Sequence, residues 1–264
     1  MKIIAPLIIA CLATLSAPAH ADFIKDALDR GTLRVGLSSF APWAMRSQTG
    51  EFIGFEPDVA RQLAADMGVE AEIIATGWDG IIPALLAKKF DLIIGGMSVT
   101  PARNLQVNFS NPYAYNGIGL VANKKRMGGA TTPEEFNNAK IVFALRRGTT
   151  PVEIVKTLMP KAEIRQYDSE AAVLQELLNG RADAWVAGAP GHTTVALNNP
   201  DKLFLPFDEL LNREHAGIVL RKGDADGLNF LNNWISVKMN EGWLQTRHDY
   251  WFKGNEWAPL VGNE

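Results

Sequence analysis

Two stretches of the chain run through the same order of elements, and this repetition narrows the available folds more than any other feature. In the first, Thr32 to Leu37 reads as a strand and Glu56 to Met67 as a helix, with Val59, Leu63, Ala64 and Met67 at helical spacing. Glu70 to Ala75 (strand), Gly80 to Lys88 (helix) and Asp91 to Gly95 (strand) complete it. In the second, Ala139 to Leu145, Thr150 to Leu158, Ala162 to Gln166, Ser169 to Asn179 and Ala182 to Ala187 follow as strand, helix, strand, helix and strand. Individual positions repeat too, because Leu85-Leu86, Asp91 and Gly96 keep the spacing of Leu177-Leu178, Asp183 and Gly188. Strands alternating with helices imply parallel pairing. The expectation is an α/β protein of two similar lobes, each built on a doubly wound sheet.

Tyr113 to Asn123 has no helical period and reads as an extended segment crossing between the lobes, and Glu214 to Lys222 reads likewise. Leu228 to Met239 and Gly242 to Trp251 read as helices without a counterpart between the lobes, so they are expected to return to the first. Lobe 1 is thus expected over residues 22–115, lobe 2 over 116–212, and a return to lobe 1 over 213–264. Two crossings make a double hinge. A ligand would lie in the cleft between the lobes, at the C-terminal ends of the strands.

Residues 1–21 read as a signal peptide: Lys2 supplies the positive start, Ile3 to Ser16 the apolar run, and Ala19-His20-Ala21 a small-x-small cleavage site. Export to the periplasm follows as an expectation. Cys11, the chain's one cysteine, lies inside that peptide, so no disulfide is expected in the mature chain. Ile8-Ile9-Ala10-Cys11 resembles a lipoprotein box only loosely, and lipid anchoring is not expected. The composition of the whole chain is that of a globular protein, 47% hydrophobic with a net charge of −3, too acidic for a nucleic-acid partner. No later apolar run approaches the ~20 residues of a membrane span.

The stretch from Asp91 to Arg103 ends a buried strand in Gly95-Gly96, passes through Met97-Ser98-Val99-Thr100, and then presents an arginine. Exposed N–H groups beside a guanidinium suit a carboxylate ligand. Trp78 lies between Gly77 and Asp79 at a strand-to-helix turn, a poor position for core filling, which places it with Phe40 in the cleft. Trp43, Trp185, Trp234, Trp243, Trp251 and Trp257 are assigned to packing, and the repeated Asp91 and Asp183 to a structural task such as turn bonding. No metal-ligand spacing occurs, Gly-x-Ser-x-Gly is absent, and Gly117-Ile118-Gly119 follows a Pro-Tyr turn where a dinucleotide fingerprint does not belong. No cofactor is expected.

Together, Gly54-Phe55-Glu56-Pro57-Asp58-Val59-Ala60, Trp78-Asp79-Gly80-Ile81-Ile82-Pro83-Ala84-Leu85, Phe109-Ser110-Asn111-Pro112-Tyr113, Arg147-Gly148-Thr149-Thr150 and the Asp91–Arg103 stretch carry a resemblance. The sequence resembles the extracellular solute-binding proteins of family 3, periplasmic receptors of polar amino-acid ABC importers. That resemblance implies a type II periplasmic binding protein fold, a monomer that closes on a small carboxylate-bearing solute, and delivery to a membrane ABC permease. It implies that Phe40 and Trp78 enclose the ligand side chain. Gly96, Met97, Ser98 and Arg103 would hold its carboxylate from lobe 1, and Thr149 and Thr150 from lobe 2.

The chain departs from the family where amino-acid receptors usually carry an aspartate for the α-ammonium. That place falls on Gly188, in Ala187-Gly188-Ala189-Pro190. An amino acid remains the favoured ligand, and a dicarboxylate or keto acid without an α-amino group is the alternative. Arg146 and Arg147 would add positive charge beside the cleft, and Arg147 and His192 are secondary contact candidates, although His192 reads first as a surface residue. Cyclohexadienyl dehydratases share the architecture and place a general acid after the last strand of lobe 2. Gly188 to His192 offers none, so catalysis is not expected.

Overall fold

The computed structural model describes residues 22–262, so the signal-peptide reading of residues 1–21 lies outside the described residues. The chain begins with α1 (Phe23–Arg30), β1 (Thr32–Leu37), a hairpin of β2 (Met45–Arg46) and β3 (Phe52–Ile53), α2 (Phe55–Asp66) and β4 (Glu70–Ala75). A 3₁₀ turn at Trp78–Gly80 leads into α3 (Ile81–Leu86), β5 (Leu92–Ile93) and α4 (Pro101–Asn104). The long β6 (Asn108–Asn123) then crosses to α5 (Lys124–Met127), β7 (Val142–Arg146), α6 (Thr150–Leu158), β8 (Glu163–Tyr167) and α7 (Glu170–Leu178). β9 (Ala184–Gly188), α8 (Gly191–Asn198) and β10 (Leu203–Phe204) follow, and β11 (Asn212–Leu220) returns to α9 (Ala225–Asn240) and α10 (Trp243–Phe252).

The repeat read in the sequence is present in three dimensions. β1 pairs in parallel with β4 and β5, and β7 in parallel with β8 and β9. Every residue of β7 and β9 is buried, as expected for parallel strands covered on both faces. The two sheets are not separate, however. β11 lies between β5 and β6, and β6 continues onto β9, so the order β4-β1-β5-β11-β6-β9-β7-β8 forms one ladder, with β10 pairing on β6. The cause is the length of β6, whose first half pairs with β11 and whose second half, Ile118 to Ala122, pairs with β9.

The two largest groups of buried apolar side chains nonetheless separate by lobe. One joins Phe23, Val35, Phe55 and Leu63 to Ile218, Leu231, Trp234 and Trp251, seating α9 and α10 on the first lobe. The other runs from Ile118 through Phe143, Val155 and Leu177 to Leu203. Gly54 joins hairpin to helix at φ 133°, where an added Cβ would meet the Trp43 carbonyl oxygen at 2.4 Å, so only glycine fits. Among the described residues no helix is long and apolar enough to cross a membrane.

Asp91 and Asp183 perform one structural task twice. Asp91 Oδ2 accepts from the Arg34 N–H at 2.9 Å, and Asp183 Oδ2 from the Val142 N–H at 2.7 Å, each tying the last strand of a repeat to the first. Arg30 and Arg34 also pair with Asp91, and Arg126 with Asp183. The Asp91 side chain is 0% exposed, so its removal leaves the part-buried Arg34 N–H without its acceptor and two partly exposed arginines without their carboxylate. Asp91→Ala is expected to lower stability by about 3 kcal/mol, read from the urea midpoint at unchanged m.

Candidate ligand cleft

Lobe 1 presents its arginine through a short chain of local causes. β5 ends, Gly96 turns the backbone at φ 64°, and Thr100 caps α4 by accepting from the Arg103 N–H at 3.2 Å, with Pro101 in the first turn. Arg103 Nη1 then donates to the Ser98 carbonyl at 2.8 Å. Lobe 2 answers with its own turn, where β7 ends at Arg146, Gly148 adopts φ 74° and α6 begins at Thr150.

The lobes meet across this gap. Arg103 Nη2 donates to the Gly148 carbonyl at 3.0 Å, and the Trp78 indole N–H to the same oxygen at 3.2 Å. In the opposite direction the Arg146 guanidinium donates to Ser38 Oγ and, at 3.1 Å, to the Ser39 carbonyl. The guanidinium carbons of Arg103 and Arg146 stand 5.8 Å and 5.7 Å from the Trp78 ring, so two cations flank one indole. Burial lowers the Arg103 guanidinium from its ordinary value, with Glu214 opposing.

Phe40, Trp78, Gly96, Ser98, Arg103, Thr149, Thr150 and Gly188 all line this cleft. Several of their donors are already used. Gly96 N–H points inward to the Tyr113 hydroxyl at 3.2 Å, and Thr149 Oγ1 donates to the Arg146 carbonyl at 2.7 Å within its own turn. Ser98 Oγ and Thr150 Oγ1, the latter at 2.9 Å, both donate to Glu214 Oε2. A protein carboxylate thus sits on the hydroxyls expected to hold a ligand carboxylate.

Three expected contacts lie elsewhere. Met97 is buried in the core with Ile81, Phe90 and Val107, because the turn at Gly96 faces its side chain inward. Arg147 follows the buried Arg146 on the outer side of the strand end, where it pairs at 3.2 Å with Asp168, itself 84% exposed. His192 is not a surface residue. It is buried against Gly119, whose missing Cβ makes room for the ring, and burial lowers its pKa.

Arg146, expected beside the cleft, lines it, and the structure adds Asn116, Glu170, Trp185 and Glu214. Burial pushes the Glu170 carboxyl up to about 7 against the pull of Arg146, and its Oε2 has no hydrogen-bond partner. Trp185, assigned to packing from the sequence, borders both the cleft and a neighbouring chamber of about 520 Å³ lined by Phe40, Trp251, Phe252 and Trp257. The sequence carries no signal for Glu170, which reads as an ordinary acid after a Ser169 cap, nor for Glu214, which reads as the polar start of a crossing strand.

Two lobes, two crossing strands and a polar cleft lined from both halves define a two-lobed solute-binding architecture of type II. The model of the bacterial extracellular solute-binding proteins, family 3, matches residues 33–254, and the chain belongs to that family. It is 30% identical over 247 residues to the L-cystine-binding protein TcyJ of Escherichia coli strain K12, covering 92% of each chain. It is 22% identical over 249 residues to the cyclohexadienyl dehydratase of Pseudomonas aeruginosa, covering 93% and 91%. Among solved structures it matches the ancestral amino acid-binding protein AncCDT-1, a precursor of cyclohexadienyl dehydratase, with a TM-score of 0.79 and 34% identity over 88% of this chain and 100% of that one.

Proposed function

We propose that this protein is a monomeric periplasmic receptor that captures an amino acid between its lobes and delivers it to an ABC import permease. The observation that carries the reading is Arg103, a half-buried guanidinium that bonds to backbone carbonyls of both lobes at their meeting point. A carboxylate entering there exchanges neutral acceptors for a charge-assisted, bidentate partner and links the lobes through one group. The cleft holds two acids, Glu170 and Glu214, beside Arg103 and Arg146, and this balance suits a zwitterion better than a dicarboxylate. The relatives that bind cystine and amino acids agree with that balance.

Titration calorimetry of the mature protein with L-cystine, L-arginine, L-lysine, L-glutamine, L-phenylalanine, succinate and phenylpyruvate tests the reading. Saturable heat is expected for at least one amino acid, with none for succinate. Heat from no member of the panel would sink the proposal. A second reading, a dehydratase of the cyclohexadienyl kind, draws on one observation, the Glu170 carboxyl held near neutrality inside the cleft, where a general acid works best. Formation of the aromatic product from prephenate or arogenate, watched as a rise in absorbance with catalytic amounts of protein, would favour it over transport.

A further inference from the structure

The place where amino-acid receptors of this family usually carry an acid is filled here. A Cβ on Gly188 would lie 2.9 Å from Asn116 Nδ2 and in ordinary contact with Phe40 Cζ at 3.4 Å, so an aspartate at this position must displace the Asn116 amide. A desolvated ligand ammonium still needs an anionic partner, and the cleft offers Glu214 and Glu170. Glu214 is spent, with Oε2 accepting from Ser98 and Thr150 and Oε1 from Asn212 Nδ2 at 3.4 Å.

Glu170 is not spent. Its Oε2 is closed to solvent with no hydrogen-bond partner, and the carboxylate makes no ion pair among the described residues. Arg146, the cation that acts on it, directs its guanidinium instead to Ser38 and Ser39 in lobe 1. Glu170 also borders both spaces, the cleft of about 60 Å³ and the aromatic chamber of about 520 Å³, together with Phe40 and Trp185, so its carboxylate lies where the two adjoin.

We infer that Glu170 is the anionic partner of the ligand's α-ammonium, replacing the acid missing at Gly188, so that the site selects a zwitterionic amino acid whose bulky side chain enters the chamber of Phe40, Trp185, Trp251 and Trp257. The inference rests on the receptor reading above. An ammonium brings several donors to a carboxylate with an empty acceptor site, and its charge offsets that of a buried anion. The chamber is lined mainly by apolar and aromatic side chains, which suit a large side chain better than a small polar one.

The test pairs each amino acid with its deaminated analogue: L-arginine with guanidinovalerate, L-cystine with dithiodipropionate, and L-phenylalanine with hydrocinnamate. For the pair that binds, wild-type protein is expected to hold the amino acid at least about tenfold tighter than the analogue. Glu170→Gln should weaken the amino acid by about 30-fold and leave the analogue unchanged, at roughly 2 kcal/mol for one buried charged hydrogen bond. Glu170→Asp keeps the charge but shortens its reach and should show the same split more weakly, which guards against misfolding of the first variant. Equal affinity for both members of a pair in wild-type protein, or an amino-acid affinity untouched by Glu170→Gln, overturns the inference while leaving carboxylate capture standing. Binding of neither member of any pair overturns both.

Discussion

Arg103→Ala is expected to weaken amino-acid binding by at least about 100-fold, close to 3 kcal/mol, when measured by calorimetry against the tightest ligand of the panel. The guanidinium is half-buried between Ser98 and Gly148, so alanine leaves an incoming carboxylate desolvated without its cation. Arg103→Lys should recover only part of the loss, because an ammonium cannot reproduce two parallel N–H bonds. The same change deletes a bond between the lobes, so the ligand-free variant should also populate a more open form, visible as a larger radius of gyration in solution scattering. Wild-type affinity in Arg103→Ala would move the carboxylate site elsewhere.

Glu56→Gln is expected to change how stability depends on pH. Glu56 opens α2 directly beneath the Gly96 turn, fully buried, with Oε2 accepting from the Tyr113 hydroxyl at 2.6 Å and Oε1 without a partner. Burial pushes its carboxyl from 4.5 to about 8, with the Tyr113 hydroxyl and the Gly96 amide pulling the other way. The folded state therefore holds this proton more tightly than the unfolded chain does. Below 4.5 both states are protonated and nothing is lost. As pH rises from 4.5 towards about 8, the unfolded chain ionises while the folded one does not, and the fold weakens, levelling off only above 8. The total loss is about 5 kcal/mol at 1.4 kcal/mol per pH step. Glu56→Gln removes that slope, so urea denaturation from pH 5 to pH 8 should show the variant overtaking wild type, with the gap widening as pH rises. A constant gap would mean that folding does not raise the Glu56 carboxyl above its ordinary value.

The fold was legible because its signals are periodic and repeated. Thr32–Leu37, Glu70–Ala75 and Thr150–Leu158 occupy the spans expected for them, and Asp91 and Asp183 perform the shared structural task that their equal spacing suggested. The hairpin at Met45–Ile53 and α8 escaped notice, the first because its strands are two residues long and the second because Gly191 to Asn198 has almost no apolar face. The site was legible only where a motif carried it. Trp78, Ser98 and Arg103 lie in the cleft, whereas Met97 shows that neighbours in a turn point opposite ways. Arg146 and Arg147 divide for a similar reason, the first ending a buried strand and the second standing outside it. Glu170 and Glu214 take their importance from the opposite lobe and the hinge, and no local pattern encodes such a contact.

The position of β11 bears on the order in which the chain can fold. β11 comes from residues 212–220 yet fills the gap between β5 and β6. Until it arrives, the inward edges of both strands lack partners, and unpaired edges are where chains associate wrongly. The parallel sheet β9-β7-β8, by contrast, draws all its strands from one continuous stretch, joined by the single-helix crossovers α6 and α7. As the protein emerges from its N-terminus, the later lobe can therefore reach its final form first. The earlier lobe must wait for almost the whole chain, which makes it the period of greatest exposure to aggregation and the natural point for a chaperone to act.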